Sequence, residues 1–116
     1  MPVWLVSGLS EGTRLVDEEP FGPILPIIKY EDVDDAVRQA NANPNGLGAS
    51  VWSNDIEKAK QIGELLESGT LWINDHGAIQ PDMLFGGVKQ SGFGVEFGSQ
   101  GLAEFTSIQS IKINRC

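Results

Sequence analysis

The chain has 116 residues, a net charge of −8 and eight basic residues that never cluster. That length is one domain's worth, so 1–116 reads as a single domain, and the charge argues against a nucleic-acid partner, which needs grouped Lys and Arg. The hydrophobic fraction of 41% supports a real but small core, and no apolar run approaches a membrane span.

Taken in order, the apolar run Val3 to Val6 is too short for a secretory leader and has no basic residue before it. "DEEPFGPILPIIKY" follows, from Asp17 to Tyr30. Its second half, Ile24 to Tyr30, is almost unbroken apolar and rich in β-branched residues, which predicts a strand buried on both faces. Pro26 places that strand at an edge or a bulge. In "EDVDDAVRQANANPNG", Val33, Ala36, Val37 and Ala40 recur at helical spacing, acidic residues fill the first turn, and Pro44 and Gly46 stop the helix. Leu47 to Ser53 reads as a second strand. A second helix follows, capped by Asn54 or Asp55, with Ile56, Ala59, Ile62 and Leu66 on its inner face and Gly69 at its end. Thr70 to Asn74 is a third strand. The order predicts an α/β fold with a mostly parallel sheet on a βαβαβ core.

Residues 75–98 hold six glycines and no trustworthy period, and a loop that long usually belongs to a site. "GSQGLAEFTS" predicts a short helix, and "SIQSIKIN" (107–114) a final strand with one exposed face. "GFGVEFG", Gly92 to Gly98, imitates a dinucleotide fingerprint, but its spacing is wrong and no strand precedes it, so a tight Gly-rich turn is the better reading. His76 is the only histidine; without a partner cluster it reads as a packing or hydrogen-bonding residue rather than a metal ligand or base. Cys116, the only cysteine, cannot form an internal disulfide, which suits a reducing cytoplasm. At a chain end it reads as inert.

Four ordered segments carry a resemblance. "EEPFGPILPI" resembles the E-x-F-G-P motif of the NAD(P)-dependent aldehyde dehydrogenase superfamily. "QANANPNGLGASVWSND" and "ESGTLWIN" are similar to its A-N-x-x-x-x-G-L and G-x-x-x-x-N segments. "LFGGVKQSGFGVEFGSQGLAEFTSIQSI" resembles its F-G-G-x-K-x-S-G-x-G-x-E-x-G signature. The match runs from about Gly12 to Ile113, and it is to the C-terminal part of the catalytic domain. The resemblance implies that Glu19 accepts hydrogen bonds from the hydroxyls of the nicotinamide-side ribose of NAD or NADP, a task suited to a carboxylate. It implies that Phe21 packs near the nicotinamide, with Gly22-Pro23 fixing the turn and Glu18 only a solvated neighbour. The loop from Asp75 to Phe85 would line the aldehyde entrance, with Ile79 and Phe85 apolar pocket residues and His76 a weaker member.

The family's Cys nucleophile, Glu base and oxyanion-stabilising Asn lie upstream of E-x-F-G-P. Only eighteen residues precede Glu19 here, and none is Cys. Thiohemiacetal formation needs the thiolate, so the expectation is a fragment that is inactive alone. The rival expectation is a stand-alone oligomeric assembly module, because a sheet cut from its surroundings has open edges. A separate chain supplying the missing half is a third.

Overall fold

The computed structural model describes residues 1–115; Cys116, and with it the reading of its thiol as inert, lies outside them. Where the sequence reads as one domain, the chain divides into two compact units, Met1–Asn43 and Pro44–Cys116.

The first unit contains strand β1 (Trp4–Leu9), a single helical turn α1 (Arg14–Asp17), strand β2 (Ile24–Ile28) and helix α2 (Val33–Ala42). β1 and β2 are parallel, in register from Trp4 opposite Ile24 to Ser7 opposite Ile27. The register then slips to Leu9 opposite Ile28, and Gly8 at φ 78° supplies the extra residue. β2 pairs with β1 alone, so the missing N–H of Pro26 is accommodated on an edge strand. The burial expected on both faces of β2 is corrected: Ile24, Pro26 and Ile28 are half-buried, while Leu25 and Ile27 face outward, 58% and 45% exposed. α2 begins where Asp32 accepts a hydrogen bond from Asp35 N (2.9 Å), and Asp34 and Asp35 suit the positive end of its dipole. It stops at Ala42, before Pro44.

The second unit contains β3 (Asn45–Gly46), β4 (Gly48–Val51), helix α3 (Ile56–Gly63), β5 (Thr70–Ile73), β6 (Val88–Lys89) and helix α4 (Gly98–Ala103). β4 and β5 are parallel, Gly48 opposite Thr70 through Val51 opposite Ile73, with α3 as the crossover. Asp55 caps α3 by accepting from Lys58 N (3.0 Å). The helix ends at Gly63 rather than Gly69, because Gly63 lies directly under the Leu71 side chain and the chain then leaves through tight turns at Leu65 and Leu66. Ala59 and Trp72 are the buried apolar residues, and Gly48 leaves room for the Trp72 ring.

The βαβαβ element order is present, as β2–α2–β4–α3–β5. It does not make one sheet: the strands form three two-stranded sheets, two parallel and one antiparallel (β3 with β6). The expected strand over 107–114 does not form. A strand needs an edge to pair with, none in the described residues reaches this segment, and Ile108, Ile111 and Ile113 are 99%, 77% and 80% exposed.

Candidate functional site

In the first unit the turn after α1 separates the two adjacent carboxylates. Arg14 Nε donates to Glu18 Oε1 and Nη2 to Oε2, both at 2.9 Å, the paired geometry of a guanidinium on a carboxylate. The hydrogen bond from Arg14 holds the Glu18 carboxyl below the usual carboxylate pKa, and the same bond raises the pKa of Arg14. Glu18 is therefore occupied by Arg14, whereas the Glu19 side chain is exposed and has no protein partner among the described residues. Gly22 N donates to Pro20 O (2.9 Å), which closes a three-residue turn about Phe21. Ile24 N to Gly22 O (2.8 Å) and Trp4 N to Pro23 O (2.8 Å) tie that turn to β1 and β2. Phe21 stands at its tip, 98% exposed.

In the second unit His76 follows the C-terminal end of β5. Its Nδ1 lies 2.7 Å from Ser50 Oγ on β4, and its ring lies 5.4 Å from Trp72. Trp72 Nε1 donates to Ala78 O (2.8 Å), and the Trp72 ring lies 6.4 Å from Phe85. His76 and Phe85 thus meet on one indole, while Ile79, three residues beyond His76, stays half exposed to solvent. Phe85 also lines a cleft of about 350 Å³ with Leu47, Ser91, Phe93, Val95, Glu96 and Glu104; His76 and Ile79 do not.

The Gly-rich signature acts as a brace. Ser91 Oγ accepts from Gly46 N (2.9 Å), Gln90 N donates to Pro44 O (3.0 Å), and Lys89 pairs with Glu67 (2.6 Å). Gly69 N donates to Gly46 O (3.0 Å), and Gly69 and Gly86 approach backbone to backbone. Phe85 and Glu96 exchange both backbone hydrogen bonds (3.0 and 2.7 Å), so "GFGVEFG" turns the chain back on itself. Among the described residues no group of three His, Cys, Asp or Glu could hold a metal, and no helix is long and apolar enough to cross a membrane.

The profile of the Aldehyde dehydrogenase family matches residues 2–111. The chain belongs to this family. It is 41% identical over 100 residues to phenylacetaldehyde dehydrogenase of Pseudomonas fluorescens, covering 86% of this chain and 20% of that protein. Human retinaldehyde dehydrogenase 3 is 38% identical over 107 residues, covering 92% of this chain and 21% of that protein. A Mycobacterium tuberculosis aldehyde dehydrogenase solved with NAD+ superposes with a TM-score of 0.85 at 38% identity, over 89% of this chain and 21% of its own. Betaine aldehyde dehydrogenase of Staphylococcus aureus, also solved with NAD+, gives 0.82 at 37%, over 87% and 20%. This chain therefore spans about a fifth of the length of these family members.

Proposed function

We propose that this segment carries one wall of the nicotinamide-ribose site and one wall of the aldehyde entrance of an NAD(P)-dependent aldehyde dehydrogenase. The family reaction oxidises an aldehyde to a carboxylate with reduction of NAD(P)+. The observation that carries the reading is the division of labour at 18–21. Arg14 takes Glu18, while Glu19 and Phe21 stand exposed on a braced turn. A lone carboxylate beside an exposed aromatic ring fits a vicinal diol and the flat ring it carries. Glu19 would accept from both ribose hydroxyls, and Phe21 would pack near the nicotinamide. Ile79 and Phe85 would supply apolar wall to the aldehyde, with His76 beside them.

The chemistry needs a thiolate, a general base and an oxyanion donor, and the only cysteine is Cys116. By itself the polypeptide is therefore proposed to be inactive and to bind NAD or NADP weakly or not at all. The purified chain is expected to give no aldehyde-dependent NADH absorbance; measurable turnover overturns the proposal. In calorimetric titration with NAD+, any residual heat should vanish in Glu19→Gln. A single cysteine, which cannot form an internal disulfide, fits a cytoplasmic setting.

A second reading, a homo-oligomeric assembly module or one half of a two-chain enzyme, is favoured by the unpaired edges of β1–β2 and by the exposed isoleucines of 108–113.

A further inference from the structure

The loop after β5 is held at several points, and one of its holders, Ser50, is a residue to which neither the motifs nor the family resemblance gives a role here. At its start Asn74, in the left-handed region at φ 55°, accepts from Ser53 N (2.8 Å) through Oδ1 and donates to Ser53 O (2.8 Å) through Nδ2. That reciprocal pair explains why Asn is found in a conformation few side chains adopt. At Asp75 the carboxylate accepts from His76 N (2.8 Å). At Ala78 the carbonyl accepts from the Trp72 indole (2.8 Å). Between these points, among the described residues, the Ser50–His76 bond at 2.7 Å ties the start of the loop to β4.

We propose that Ser50 is a positioning residue for this loop: its hydroxyl donates to His76 Nδ1 and so fixes the neutral imidazole as the Nε2–H tautomer, ring against Trp72. Ser50 and Trp72 are direct partners across β4 and β5, so hydroxyl and indole are presented from adjacent strands of one small sheet. Among the described residues no other acceptor meets the Ser50 hydroxyl proton. If Nδ1 carried the hydrogen instead, Ser50 would accept and the half-buried hydroxyl would have to turn its own proton away from its protein partner and toward solvent. With Ser50 donating, Nδ1 and the hydroxyl satisfy one another, and exposed Nε2–H is satisfied by water. The Trp72 ring then packs against the imidazole at a 60° tilt while its N–H holds Ala78. Ile79 follows directly from that bond, so its direction is set by the clamp. The importance of Ile79 rests on the aldehyde-entrance reading; the clamp itself does not.

The test needs neither aldehyde nor cofactor, so it stands or falls separately from the proposed function. Because His76 is the only histidine, the ring nitrogens of the 15N-labelled full chain are assigned without ambiguity. At about pH 8, above the ordinary imidazole range, the unaltered protein is expected to be Nε2–H. Observation of the Nδ1–H form, or of an unbiased mixture, overturns the proposal without any variant being made. In Ser50→Ala the population of the Nε2–H form should fall to that of a free neutral histidine, which favours the same tautomer only weakly. Hydrogen exchange at the Trp72 indole should rise roughly fivefold, the factor carried by one ordinary hydrogen bond. Ser50→Thr, which keeps a hydroxyl, should restore both. A Ser50→Ala protein that keeps its circular dichroism, its tautomer and its indole exchange rate shows that Ser50 positions nothing.

Discussion

Gly69 lacks a side chain because the Gly86 carbonyl fills the space where its Cβ would stand. Both partners there are backbone, so no rotamer can relieve the overlap. Gly69→Ala is expected to destabilise the second unit by about 3 kcal/mol, the upper end of overpacking penalties, as read from urea unfolding followed by circular dichroism. Gly22 is the contrasting case. Nothing lies within 4 Å of a Cβ built there, and its φ is not positive. Gly22→Ala is expected to be neutral or to stabilise by about 0.5 kcal/mol through the unfolded chain. The motif lettering makes both glycines look alike, and only the surroundings separate them. The same is true of Glu18 and Glu19. Sequence alone distinguishes them through the family resemblance; the physical distinction is Arg14, one helical turn earlier, which takes the first carboxylate and leaves the second.

At the scale of single elements, α2 is the best defined and the most dependent on polar contacts. None of its residues is fully buried, so its cap weighs more in its stability than it would beneath a covered face. Asp32→Ala removes the hydrogen bond to Asp35 N and should cost about 1 kcal/mol of helix stability, seen as a fall in helical circular dichroism. Asp35 is held below its ordinary value of 3.8 by the Arg38 hydrogen bond first, then by Glu31 N and Gln39. A depressed carboxylate stabilises the fold fully above its unfolded value and loses that contribution as pH falls through the folded one. Helicity of α2 should accordingly be flat above about pH 5 and decline below 3.8, and Asp35→Asn should remove most of that dependence. The strands and helices between 24 and 73 are legible because apolar spacing and caps agree. β1 is not, because Ser7 and Gly8 break its alternation at the bulge. The strand at 107–114 is legible as a pattern yet absent, because pattern specifies a face and not the partner that pairs with it. Ser50 left no signal at all: one serine inside a strand is unremarkable until the loop after β5 brings His76 to its hydroxyl.

Across the whole molecule the imbalance is between apolar content and coverage. Ala59 and Trp72 are the buried apolar side chains, while Phe21, Phe93, Phe105 and Ile108 are each at least 87% exposed. The family relatives it matches are about five times longer than this chain. A chain of this composition on its own has two outlets, association with itself or with a polypeptide that supplies the rest. In the segment 107–114, Ile111 and Ile113 share one face if the backbone extends, with Lys112 between them on the other. Covering each isoleucine is worth about 2 kcal/mol, against an association cost of at least about 4 kcal/mol. If only one chain's pair is covered the two isoleucines break even, and the second chain's pair or strand pairing along an open edge must add to them before a dimer holds. Self-association at micromolar concentration needs about 8 kcal/mol net, so strand pairing and further apolar cover must supply most of it. Light scattering should give a mass above 12.5 kDa that rises with concentration in this range. Ile111→Lys with Ile113→Lys should return the monomer, because two buried ammonium groups would reverse the apolar gain. A wild-type protein that stays at 12.5 kDa throughout removes the assembly reading. A double variant that still associates moves the contact from 107–114 to the open edges of β1 and β2.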